Sequence, residues 1–289
     1  VALVTSGGFG AAYSGTSHSV SASVIAGEGT SMERDYDYSS VRFVKDLEDA
    51  AIIGRQAGER AVRRLNPRKV KSGPTPVIFD PRVSNGLLGH LAGSVNGAAV
   101  ARGTSFLRDK MDEKIFAEGI VIVDDPHRKA GLASRPFDGE GVANRRMNLV
   151  EDGRLITWLL DTATGHQLGM KSTGHASRGA SSPPSPSCSN LYMEPGTQTP
   201  GALMADITSG LYVSELIGFG VNAVTADYSR GAAGFWIENG KIAFPVSELT
   251  IAGNLKDMFL NATPANDLEF RYGTNAPTIR LEGLTVAGA

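Results

Sequence analysis

Five histidines and one cysteine are the residues best suited to metal or nucleophilic chemistry in this chain: His18, His90, His127, His166, His175 and Cys188. A catalytic zinc needs about three protein ligands, and a nucleophilic serine needs a base that an acid orients. The spacings supply neither. His90 lies in GLLGHLAGS, and Ser94 follows one helical turn later, but no acid stands at helical spacing to orient the imidazole. His166 and His175 flank QLGMKSTG and could face one site, although nothing else requires it. No G-x-S-x-G, P-loop, H-E-x-x-H or paired-cysteine pattern occurs. GGFGAAYSG lacks the third glycine of a dinucleotide loop. A single cysteine excludes an internal disulfide and a multi-cysteine zinc site, and it fits a reducing, cytoplasmic setting. DYSRGAAGFWIENG gathers Arg230, Phe235 and Trp236 among small residues and is a candidate substrate or partner loop.

The elements that must position these residues are legible in outline. Asp80-Pro81 is a strong helix start, with the N-cap carboxylate followed by proline in the first turn. The helix it opens buries Ser84, Leu88, Leu91, Ala92, Val95 and Ala99 on one side. On the other side Gly86, Gly93 and Gly97 surround His90, and three glycines there predict another backbone packed closely against that face. A second amphipathic helix is expected over 45–66, its stripe running through Leu47, Ala50, Ala51, Gly54, Gly58, Ala61, Val62 and Leu65. The basic RRLNPRKVK closes it, where cations favour the helix dipole. PVIFD, EGIVIVDD and TIRLEGLTVAG read as strands, residues 13–29 as a hairpin or meander, and SMERDYDYSS as another strand. Asp152-Gly153 and Asn239-Gly240 mark two tight hairpin turns. GALMADITSGLYVSELIG reads as helix and then less regular chain, NLKDMFLNA as a short helix, and 177–190 as an extended Ser/Pro-rich loop, where the one candidate domain break lies near 180. The expectation is an α+β fold: a large antiparallel or mixed β-sheet with a few packed helices.

Composition narrows the function class. The chain has 289 residues, 41% hydrophobic and 20% charged, with 28 basic and 30 acidic side chains. No basic excess points to direct nucleic-acid binding, and no apolar run reaches membrane-spanning length.

Several stretches, in order along nearly the whole chain, resemble the TldD/PmbA family, on its PmbA/TldE branch. They are MERDYDYS, NPRKVK, PVIFDPRVSNGLLGHLAGSVNGAAVARGTSFL, GLASRPFDGEGV, EDGRLITWLLD, LGMKSTGHA, DYSRGAAGFWIENGKIAFPVSELTIAGNLKDM and LEGLTVAG. The resemblance places all of 1–289 in this family, mostly as its C-terminal domain, without the family's N-terminal α/β domain. It implies a two-subunit metallopeptidase for flexible peptides, in which the TldD branch carries H-E-x-x-x-H on a helix. Set against that motif, Gly89 and Ser94 stand where the metal histidines would be, His90 where the catalytic glutamate would be, and Arg271 near the position of a C-terminal cysteine ligand. The resemblance therefore implies a metal-free subunit with no cofactor and no catalytic residue of its own. Its partner would be a TldD-type chain or a second copy of itself. The alternative is a non-proteolytic peptide-binding or regulatory protein, as the family's older label of DNA gyrase modulator suggests.

Overall fold

The computed structural model describes residues 1–288. Its centre is a mixed sheet that closes on itself. Strand Gly73–Phe79 lies between Ser209–Ile217, parallel to it, and Ile279–Ala287, antiparallel. Ser209–Ile217 pairs on with Asp227–Glu238, and that strand with Lys241–Asn254. Thr250–Ala252 then pairs back to Thr285–Ala287, so these five strands form a ring, with Ala262–Pro264 added at one side. A smaller sheet has the order Thr274–Asn275, Leu191–Met193, Ile122–Asp124, Met147–Glu151, Arg154–Leu155. With six short-to-medium helices among the described residues, this is the expected α+β architecture.

Both predicted tight turns form. Asp152 and Gly153 have φ of 47° and 74°, and Asn239 and Gly240 have 49° and 77°, the left-handed pairs that a two-residue hairpin turn demands. Helix α1 (Pro81–Ser94) starts as its sequence dictates: the Asp80 carboxylate accepts from the Arg82 amide at 2.9 Å, with Pro81 in the first turn. Its inner face, Leu87, Leu88 and Leu91, is buried in one core with Val77, Phe79, Leu211, Val213 and Ile279. At about 1.5–3 kcal/mol for each fully buried leucine relative to exposure, this face anchors the helix against the sheet.

Ahead of this body, the antiparallel hairpin His18–Ala26 and Glu33–Val41 is covered by a helix over Ala50–Arg63. That helix begins later than expected because Val44–Asp46 forms a separate turn and Asp49 caps it, accepting from the Ala51 amide at 2.7 Å. Its buried row is Ile53, Ala57 and Ala61, at four-residue spacing. The predicted stripe was therefore rotated: Val62 is exposed, and Ile53 faces the hairpin instead. GLYVSELI is a further correction. It is a central strand with one bulge rather than loose chain, and hydrogen bonding to a neighbour on each side overrides its weak local signal.

Candidate functional site

The outer face of α1 carries the family-motif positions. Gly89 and Gly93 are exposed and His90 is half-buried. The His90 ring meets Tyr228 edge to face, with centroids 6.0 Å apart. Burial, and then the Arg230 guanidinium, hold the proton affinity of His90 below that of an ordinary histidine. Ser94 is buried, and its hydroxyl donates to the His90 backbone carbonyl at 2.8 Å. That is the back-bonding common for serine in helices, and it leaves Ser94 uncoupled from the imidazole.

The predicted close packing on the glycine face fails at Gly86 and Gly93. A Cβ built at Gly86, Gly89 or Gly93 would meet nothing within 4 Å. Only Gly97, in the next helix, is packed as expected, with Leu160 Cδ2 at 2.5 Å and the Leu159 carbonyl at 2.9 Å from such a Cβ. The glycines of α1 instead front open space.

That space continues into a cleft of about 250 Å³ between α1 and the hairpin. Arg82, Asn85 and Gly86 form one wall, Arg34 to Tyr36 face them, and Arg64, Ser214, Glu215 and Arg230 complete the lining. Three of its arginines are committed to ion pairs. Arg64 reaches Glu215 at 2.5 Å, Glu33 at 3.3 Å and Asp35 at 3.7 Å. Arg82 reaches Asp35 at 2.7 Å and Asp80 at 3.4 Å, and Arg34 reaches Glu215 at 3.5 Å. The basic cluster after the first helix thus fastens the hairpin to the sheet, beyond any effect on the helix dipole.

Arg230 differs. It has no carboxylate partner among the described residues, and its Nε is buried without an acceptor. Beside it in the lining, the hydroxyl of Ser214, a residue only 7% exposed, is also unpartnered. Ser214 sits on a β-bulge, since Val213 opposes Gly234 and Glu215 opposes Ala233, with Ser214 left over between them. Gly234 makes the bulge possible, because a Cβ there would lie 1.9 Å from the Tyr212 carbonyl.

The other candidates scatter. Phe235 stacks under Arg63, with the guanidinium carbon 5.0 Å from the ring centroid, and lines a smaller adjoining cavity with Arg60, Tyr212 and Ser214. Trp236, its neighbour on the opposite strand face, packs against the core. Arg271 is engaged with the hairpin, 2.7 Å from the Tyr38 carbonyl, 3.2 Å from Asp37 and 3.7 Å from Glu48. His166 is exposed on a short helix, while His175 is buried against Asp124, so the two imidazoles have different surroundings. Ser214, Arg64 and Arg82 escaped the sequence reading. One signal was available for Ser214: the inward apolar residues run Leu211, Val213 and then Leu216, a slip of one position that a bulge produces.

The donor set at α1 does not fit a metal ion. It offers one imidazole, between a glycine and a back-bonded serine. Among the described residues no three His, Cys, Asp or Glu side chains converge as a site would require. No chemical step is therefore routed through a metal on this chain.

Comparison with known proteins supplies the family. Residues 72–288 match the C-terminal domain of the PmbA/TldA metallopeptidases, and residues 1–65 match their central domain. The chain is 43% identical over 277 residues to metalloprotease PmbA of Escherichia coli O157:H7, covering 96% of this chain and 60% of that one. It is 38% identical over 278 residues to the PmbA homolog of Haemophilus influenzae, with the same coverage of 96% and 60%. The chain thus spans about 60% of the length of these relatives. A crystal structure from Bacteroides thetaiotaomicron, described as a candidate modulator of DNA gyrase, superposes with a TM-score of 0.89 at 32% identity, over 98% of this chain and 63% of that one. On the domain matches, the identities and the shared fold together, the chain belongs to the PmbA/TldD metallopeptidase family.

Proposed function

We propose that this protein is a metal-free TldE-type subunit of a two-subunit peptidase, partnered by a TldD-type chain that holds the metal. The observation that carries this reading is the helix α1, where a single imidazole stands between Gly89 and the back-bonded Ser94, and among the described residues no three His, Cys, Asp or Glu side chains converge. Gly89, His90, Ser94 and Arg271 are then degenerate positions of a metal site that the sister branch retains. The chain's own residues would bind and orient flexible peptides for the partner, in the cytoplasm.

Co-expression with a TldD-type chain tests this. The expected outcome is a stable complex with zinc in the TldD-type chain only, and peptidase activity on an unfolded peptide from the complex only. Stoichiometric zinc with peptidase activity in the isolated chain overturns it. A homodimer is the variant in which two copies associate without that partner. The gyrase-modulator description of the Bacteroides relative favours a second reading, a non-proteolytic peptide-binding or regulatory protein. Failure to form the complex, with peptide binding retained, would select it.

A further inference from the structure

We propose that the cleft between α1 and the hairpin holds the carboxylate of an extended peptide, with Arg230 supplying the charge and Ser214 a hydrogen bond. This rests on the reading of the chain as a peptide-orienting subunit and specifies what the subunit recognises.

Four arginines, Arg34, Arg64, Arg82 and Arg230, line the cleft against two carboxylates, Asp35 and Glu215. Both acids are already paired with the first three arginines. Arg64 and Arg82 also reach Glu33 and Asp80, so Arg230 is the one cleft arginine without a carboxylate among the described residues, and its Nε has no acceptor. A buried donor left unpaired is costly, and that cost disappears when an acceptor arrives. The orphaned Ser214 hydroxyl, displaced from the strand register by the bulge, presents a second such deficit in the same lining. Two unmet donors, one of them on a guanidinium without a carboxylate, match a carboxylate, which accepts from both and prefers arginine.

The approach to this point is equally specific. Gly86 lines the cleft, and Gly89 and Gly93 continue its face of the helix at three- and four-residue spacing. All three present bare backbone to open space. Seven residues of helix span roughly 10 Å, about the length of three residues of extended peptide. A peptide that lies beside the glycines and enters the cleft at Gly86 would bring its end among the lining residues, Arg230 included. Side chains at these positions would occupy that path.

Isothermal titration of the full chain with an acetylated Gly-Ala-Gly-Ala-Gly-Ala hexapeptide tests the proposal. Three forms are compared: the free C-terminal acid, the C-terminal amide, and the amide with aspartate as its last residue. The free acid is expected to bind about tenfold more tightly than the plain amide. Tight binding by the aspartate amide also supports the proposal and shows that a side-chain carboxylate serves. Arg230→Gln should abolish the preference and Arg230→Lys restore part of it, with unchanged thermal midpoints confirming the fold. Ser214→Ala should weaken the acid several-fold and leave the amide unaffected. Equal binding of acid and plain amide, no binding of either, or a preference that survives Arg230→Gln would each overturn the proposal. Because the zinc and complex-formation readouts do not depend on the peptide's terminus, an intact complex without the preference removes this inference alone.

Discussion

Two histidines of this protein sit in opposite chemical situations. His175 is 2% exposed, with Thr173 Oγ1 at 2.8 Å on one ring nitrogen and Asp124 at 3.2 Å on the other. Asp124, fully buried, also accepts from the Ser189 amide and hydroxyl, both at 2.6 Å. His90 is half-buried and feels Arg230, and in the cleft that Arg230 helps to line, Arg230 Nε and Ser214 Oγ are buried without a partner. The first region resembles a catalytic triad on paper. His175 and Asp124, however, are buried, and Thr173 accepts from the Leu160 amide at 2.8 Å, so the hydroxyl, both ring nitrogens and both Asp124 oxygens all have partners inside the fold. A polar network with every member satisfied is structure. A cleft whose donors are unmet is where a ligand belongs. Completeness of hydrogen bonding, rather than residue type, separates the two.

The comparison can be broken most severely at Asp124. Asp124→Ala leaves His175 and both Ser189 donors unpaired in the core, and should lower unfolding free energy by about 3–5 kcal/mol in urea titrations. A loss below about 1 kcal/mol would mean that the network is not structural. Gly97→Ala comes next. Its Cβ would press on Leu160, Thr164 and the Leu159 carbonyl within 2.9 Å, for an expected loss of about 1–3 kcal/mol by the same measurement.

Gly89→Ala, on the open face, carries the opposite sign. With nothing near its Cβ, it should raise the thermal midpoint through a stabilisation of roughly 0.5–1 kcal/mol, as alanine replaces glycine in an unobstructed helix. A drop would show that the face is covered.

The smallest effect is the titration of His90. Its proton affinity in the folded chain lies below the ordinary value of 6.5 because of burial and Arg230. The unfolded chain therefore takes up this proton first. The stability tied to neutral His90 is fully present above pH 6.5 and is lost as pH falls through that value toward the lower folded one. Chemical denaturation at pH 7.5 and pH 5.0 should show a smaller acid-induced loss for His90→Gln than for the parent chain. Identical losses would remove the claim. Cys188 gives a reactivity check within the satisfied region. Burial, then Asp124, pushes its thiol up to about 11, so alkylation at pH 8 should be slow until the chain is denatured.

Much of this molecule was already determined by its sequence. The Asp80-Pro81 start of α1, the Asp152-Gly153 and Asn239-Gly240 turns and the closing strand all formed as their residues dictate. Each depends on a few adjacent residues, through a cap, a fixed φ or a left-handed pair, and such local chemistry needs no knowledge of distant chain. Tertiary structure decided everything that required distant residues to meet. The glycine face of α1 predicts tight packing from its composition alone, yet the fold left it open, because what lies opposite a helix face is set by chain far away in sequence. Arg64, Arg82 and Arg230 are indistinguishable as letters. The fold brought carboxylates to the first two, across separations such as the 47 residues between Arg82 and Asp35, and among the described residues none to the third. The charge on Arg230 was written in the sequence, but whether that charge would be neutralised depended on which side chains the closed sheet and its hairpin placed beside it.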